Sequence, residues 1–100
     1  MEKRVPSFKL SEIQSVFSNV QNLRITRTAW RSASSLGIRR VEILEIVAAL
    51  KDRNFYKSMP SYADQKIWQD VYRSKWGATK LYIKFTISNG DFLILSFKEL

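Results

Sequence analysis

Apolar residues recur every three or four positions through the first half of the chain and every second position through the last third. The first period is that of a helix and the second that of a strand. Leu10, Ile13, Val16, Phe17 and Val20 share one stripe, which predicts a helix over 10–20. Ser11 followed by Gln14 is a capping-box spacing at its start. Residues 23–26 read as a short strand or an extended link. A second helix is expected from Thr26 or Thr28, since either hydroxyl can cap it, with Ala29, Ala33 and Leu36 on one side. Gly37 is placed to end it, because glycine enters the left-handed region without a Cβ penalty. A third helix is expected over 40–51. There Val41, Leu44, Val47 and Ala48 recur at helical spacing, and Ile43, Ile46 and Leu50 broaden the stripe.

After Asn54 the period becomes two. Residues 56–62 contain Pro60 and read as an edge strand or an irregular one. In 67–73, Ile67, Gln69, Val71 and Arg73 lie on one face and Trp68, Asp70 and Tyr72 on the other. In 81–88, Leu81, Ile83, Phe85 and Ile87 are apolar, while Tyr82, Lys84, Thr86 and Ser88 are polar. Such alternation marks a sheet packed on one face and open on the other. Asn89-Gly90 then joins this strand to a last one over 92–99. A simple two-residue loop would pair Tyr82 with Phe97 and set Lys98 on the opposite face from Tyr82. A longer loop or one bulge around 88–92 reverses the parity. It would place Leu93, Leu95 and Phe97 in the core with Leu81, Ile83 and Phe85, and Ser96 and Lys98 outside with Tyr82 and Lys84. Burial favours this second arrangement. The expected architecture is α+β: three helices on one face of a small antiparallel sheet of four or more strands, in one domain spanning 1–100.

Composition narrows the chemistry. The chain has no cysteine and no histidine. This removes disulfides, thiol nucleophiles, the commonest metal ligands and the commonest general base. No metal and no cofactor are expected, and acid–base work must fall to Lys, Tyr, Asp or Glu. With 17 Lys and Arg against 9 Asp and Glu, the net charge is +8, which points to a polyanionic partner. No stretch is long and apolar enough for a membrane span, and the start lacks the apolar run of a signal peptide, so the cytoplasm is the expected compartment.

The open face of the sheet is expected to gather Lys57, Gln69, Arg73, Tyr82, Lys84 and Lys98. Two or three cations can hold a phosphate. A tyrosine can stack on a base or move a proton, and a glutamine can fix a base edge or a ribose hydroxyl. These parts suit cleavage of RNA by attack of a 2′-hydroxyl on the adjacent phosphate. A lysine acting as base would need a lowered pKa, and neighbouring positive charge pushes that way. Each residue taken alone has a plainer reading: a solvated lysine, a tyrosine covering a sheet face, a glutamine satisfying the backbone. Spacing alone supports a basic α+β nucleic-acid binder.

Longer runs add a resemblance. Met1-Glu2-Lys3-Arg4 followed by Pro6, the runs 55–59 (Phe-Tyr-Lys-Ser-Met) and 67–73 (Ile-Trp-Gln-Asp-Val-Tyr-Arg), the Tyr82/Lys84 pair and Ser96-Phe97-Lys98-Glu99 resemble the MqsR family. The resemblance spans the chain; the helical half and the link Ser74-Lys75-Trp76-Gly77 match loosely, and the Asn89-Gly90 turn is one residue longer than the family's usual form. The family comprises motility quorum-sensing regulator toxins of type II toxin–antitoxin pairs. The resemblance implies a RelE-like fold and a sequence-selective, metal-independent endoribonuclease that cuts mRNA at short GC-containing (GCU-like) sites. It also implies inhibition of translation and growth, and a zinc-binding MqsA-like antitoxin as partner. By motif it assigns Lys57, Gln69, Tyr82 and Lys98 to catalysis, and Arg73 and Lys84 to RNA binding. The rival readings are a non-catalytic RNA-binding module and an adaptor whose basic face serves an acidic protein.

Overall fold

The computed structural model describes residues 1–100. It contains three helices, α1 (Leu10–Val16), α2 (Arg27–Ser35) and α3 (Arg40–Ala49), followed by four strands. These are β1 (Phe55–Pro60), β2 (Trp68–Trp76), β3 (Thr79–Ser88) and β4 (Asp91–Glu99), paired antiparallel in the order β1-β2-β3-β4. Helices and strands meet on one face only. Ile13 and Phe17 from the first helical region, Ala29 and Ala33 from α2, and Ile43, Ile46 and Val47 from α3 form one core with Tyr72, Leu81, Ile83, Phe85, Ile94 and Phe97. The Phe17 and Phe85 rings stack at 6.2 Å. The α+β architecture read from the sequence is the architecture of the protein.

The helices differ from expectation in instructive ways. α1 ends at Val16, not Val20, because Asn19 bonds its own backbone: its side chain accepts from Gln21 N and starts a separate 3₁₀ turn, Val20–Asn22. Gln14 forms no capping box. Its Nε2 instead donates to the carbonyls of Val47, Ala48 and Leu50, tying α1 to the end of α3. α2 is capped by Thr26, whose hydroxyl accepts from Ala29 N. Gly37 ends it at φ +81°, with Ile38 N donating to Ala33 O and Gly37 N to Ser34 O, the two bonds of a Schellman motif. In α3 the buried set is Ile43, Ile46 and Val47 with Leu50 beyond its end, while Val41 and Ala48 face outward. Residues 23–26 are the extended link: Ile94 N donates to Arg24 O and Thr26 N to Ile94 O, which pairs the link with β4.

The terminal hairpin settles the parity question, though not where it was expected. Ser88 pairs with Asp91, so the loop has two residues, with Asn89 at φ 54° and Gly90 at φ 82° as a type I′ turn requires. The shift comes later, as a bulge at Leu95 between the pairs Phe85–Ile94 and Lys84–Ser96. Near the turn, Phe92 and Ile94 are therefore buried, and beyond the bulge Phe97 is. Leu93 and Leu95, expected in the core, are only half-buried on the other side. Tyr82 pairs directly with Lys98, as the second arrangement demands.

Tyr72 lies on the core face of β2, 1 % exposed, with its ring edge-on to Phe55 and Phe85. Burial, then the charge of Asp70, pushes its phenol up to about 12. A raised folded pKa favours the protonated form, so this contribution is complete below pH 10 and is lost between about pH 10 and 12. Thermal melts across that range should show a falling Tm for the wild type. Tyr72→Phe should show a shallower fall.

Candidate active site

The face of the sheet opposite the helices is built by strand alternation. Side chains at 69, 71, 73 and 75 of β2 and at 80, 82 and 84 of β3 point away from the core. The pairing register aligns them in rows. One row runs Arg73–Tyr82–Lys98 across β2, β3 and β4; the next runs Lys57–Val71–Lys84–Ser96 across all four strands. Gln69 sits beside these rows, opposite Met59. All six residues singled out in the sequence thus belong to one open face. Lys57, Gln69, Tyr82 and Lys84 are half-buried, and Arg73 and Lys98 are exposed. Val71 is fully buried yet stands apart from the helix-side core; it is the floor beneath the lysine stems of its row.

Aromatic rings space the cations. Lys98 Nζ lies 5.1 Å and Lys84 Nζ 5.9 Å from the centre of the Tyr82 ring. Tyr56, placed on this side by the bulge between Phe55 and Lys57, has three cations around it: Arg73 at 3.5 Å, Lys57 at 5.3 Å and Arg4 at 5.4 Å. Lys75 and Lys80, paired across β2 and β3, continue the basic surface. They open into a 650 Å³ cleft with Lys51 and Arg53. A second cavity of similar size, about 660 Å³, lies elsewhere, against Phe8, Gln14, Leu50 and Tyr72, and touches none of the six.

The segment before α1 completes the face. Lys3 pairs with Ser58 through two backbone hydrogen bonds, 2.8 and 2.9 Å, extending the sheet beyond β1. Alternation then sends neighbouring side chains to opposite faces. Lys3 lies over Trp68 on the helix side at 4.2 Å, while Glu2 and Arg4 reach the open face. Arg4 Nη1 donates to Tyr56 O, and Lys57 Nζ donates to Glu2 Oε2 at 2.5 Å. Farther along, Ser7 N and Phe8 N donate to the fully buried carboxylate of Asp70, and the Ser7 and Ser58 hydroxyls bond at 2.8 Å.

These contacts set the electrostatics. The hydrogen bond from Lys57, opposed in part by desolvation, holds the Glu2 carboxyl below its usual range. The same bond raises Lys57 above the ordinary lysine value. Lys57 is therefore a fixed cation, not the lowered lysine expected of a base. Lys84 is lowered instead, first by burial and then by the neighbouring charges of Lys98 and Lys57. Sequence reasoning missed Glu2, Arg4 and Tyr56 as parts of this face. The alternation within the opening segment carried a signal, but three residues are too few to reveal a strand.

The chain matches a family model described as "Motility quorum-sensing regulator, toxin of MqsA" over residues 5–99. It is 40% identical, over 99 residues covering 99% of each chain, to a protein of Escherichia coli (strain K12) named "mRNA interferase toxin MqsR". Arg73, Tyr82 and Lys98 stand side by side on one open, cationic face, and the likeness extends over 99 residues. The protein belongs to the MqsR family of toxins.

Proposed function

We propose that this protein is an mRNA interferase: an endoribonuclease toxin of a type II toxin–antitoxin pair that cuts messenger RNA and so inhibits translation and growth. Membership of the MqsR family supports the class of activity. The observation that carries the reading to residues is the direct cross-strand row Arg73–Tyr82–Lys98, with Lys57 and Lys84 in the adjoining row. Lys57, Gln69, Tyr82 and Lys98 form the catalytic set, and Arg73 and Lys84 bind RNA. Lys57 and Lys98 flank the phosphate and stabilise the dianionic transition state; as ammonium groups they are matched to charge that develops there. Tyr82 lies between cations with its ring half-exposed and stacks on a base next to the scissile bond. Gln69 hydrogen-bonds a base edge or the 2′-hydroxyl. The substrate is mRNA at short GC-containing sites, the partner is an MqsA-like zinc-binding antitoxin, the compartment is the cytoplasm, and residues 1–100 act as one domain. No helix is long and apolar enough to cross a membrane.

The reaction proposed is metal-independent. The 2′-oxygen attacks phosphorus, the 5′-oxygen leaves, and the products carry a 2′,3′-cyclic phosphate and a 5′-hydroxyl. Incubating the purified protein with a defined single-stranded RNA in EDTA, then mapping cut sites and end groups, tests this. Cleavage at GC-containing sites with cyclic-phosphate ends is the expected result. Activity that disappears in EDTA and returns with magnesium overturns the metal-free mechanism. Salt-sensitive RNA binding without any cut supports the non-catalytic module instead.

A further inference from the structure

Something must take the proton of the attacking 2′-hydroxyl at neutral pH. Lys57 is held as a cation by its carboxylate partner. Arg73 cannot give up its proton in a protein. Glu2 is the carboxylate in contact with this face, and it is half-exposed, with 44 % of its side chain open to solvent beside Lys57.

Its place is fixed by the fold, not by chance collapse of a terminus. The backbone bridge of Lys3 to Ser58 sets the alternation that aims Glu2 at the open face. Asp70 pins Ser7 and Phe8 from beneath the sheet, so the segment is anchored on both sides of Arg4. The sequence of elements across the sheet is then the opening segment, β1, β2, β3. The antiparallel bridge sets Glu2 opposite Met59, one pair along from the Lys57 row, and its carboxylate reaches diagonally to Lys57; Lys84 lies two strands farther on, about 10 Å from Lys57 between Cα atoms at a strand spacing of about 4.8 Å. A phosphate seated over Lys57 would have a carboxylate on one side and an ammonium on the other. In-line displacement needs a proton acceptor and a proton donor on opposite sides of phosphorus.

We propose that Glu2 is the general base of the cleavage, a catalytic residue supplied by the segment that precedes α1. This rests on the reading of the protein as an RNA-cleaving toxin. In the step, the scissile phosphate takes over the Lys57 ammonium, and Glu2, released from that bond, accepts the 2′-hydroxyl proton and becomes a neutral acid. The 2′-oxygen forms its bond to phosphorus as the bond from phosphorus to the 5′-oxygen breaks. Lys84 gives a proton to the departing 5′-oxygen and becomes a neutral amine. Glu2 then loses its proton to water and Lys84 regains one, which restores both groups. The lowered pKa of Lys84, caused by burial and by Lys98 and Lys57, eases the donation.

The test pairs two variants with two substrates. Glu2→Gln keeps the length of the side chain and an oxygen that can still accept from Lys57, but removes the basic group. Single-turnover cleavage should fall about a hundredfold or more, the usual scale for a positioned base. Affinity for a non-cleavable RNA carrying a 2′-deoxy sugar at the cut site should be unchanged or tighter, because a negative charge has left the phosphate site. A substrate with sulfur in place of the leaving 5′-oxygen needs no proton at that atom. It should restore Lys84→Ala towards the wild-type rate and leave Glu2→Gln slow. Wild-type rates for Glu2→Gln overturn the proposal and reduce Glu2 to a counter-ion of Lys57. A loss confined to affinity, or rescue of Glu2→Gln by the sulfur substrate, also overturns it. If the wild type does not cut RNA, the functional reading fails before the comparison is reached.

Discussion

Replacing Lys98 with alanine should lower RNA cleavage by about a hundredfold or more and leave the fold intact. Lys98 is exposed at the end of β4, directly opposite Tyr82, and forms neither of the protein's ion pairs. Its charge has no carboxylate partner within the protein; its neighbours are the Tyr82 ring, 5.1 Å away, and the Lys84 cation. Its value to the protein is then whatever it does for a ligand. Removing one preorganised donor from the site of developing charge usually costs about 10²–10³ in rate. The same change at Lys57 is harder to read, because it also frees Glu2 from its partner. Arg40→Ala is the matched control. It removes one positive charge from a guanidinium stacked on Trp30 at 4.1 Å in the helical half, so it alters net charge without touching the open face. Single-turnover cleavage of one RNA by the two variants, with circular dichroism to verify folding, decides the matter. Equal small losses would mean that Lys98 contributes only to the general positive field and that the site lies elsewhere.

Much of this site was legible because strand alternation is a strict code. Once residues 67–73 and 81–88 were read as strands, the side of the sheet taken by Gln69, Arg73, Tyr82 and Lys84 followed. The position of Lys98 was harder. Phe92, Leu93, Ile94 and Leu95 are all apolar, so either phase of β4 buries large side chains, and the run cannot say where a bulge falls. Burial required a parity change somewhere, and the backbone placed it at Leu95, beyond a two-residue turn. α3 posed the same problem in helical form. Apolar residues stand almost all round it, so the periodicity does not single out Ile43, Ile46 and Val47 from Val41 and Leu44. Packing against the sheet chose. The electrostatics of Lys57 were hidden for another reason. From the sequence its neighbours on the face were cations; the carboxylate that reverses the sign comes from a residue 55 positions away, through an edge pairing that no local pattern announces.

Asp70→Ala tests that long-range link, and its effect should be large in both stability and activity. Asp70 is fully buried on the core face of β2, where an isolated carboxylate would be costly. Ser7 N at 3.0 and 3.1 Å and Phe8 N at 3.0 Å compensate it. Truncation leaves two backbone donors facing an empty space where the acceptor was, at about 1–3 kcal/mol for each unsatisfied group. A total near 3 kcal/mol corresponds to a drop in Tm of roughly 15 °C for a domain of this size. The opening segment should also loosen from the sheet, because its remaining hydrogen bonds are the Lys3–Ser58 bridge, the exposed Arg4 contact with Tyr56, the Ser7–Ser58 hydroxyl pair and the surface bond of Glu2, beside the Lys3–Trp68 and Phe8–Phe92 contacts. Cleavage measured well below the lowered Tm, where the sheet is still folded, should therefore fall as it does in Glu2→Gln, although Asp70 itself points away from the RNA. Amide hydrogen exchange localises the cause: faster exchange confined to residues 2–8 shows release of the segment. Retained protection there, with cleavage at the wild-type rate, would show that the segment holds its place without Asp70.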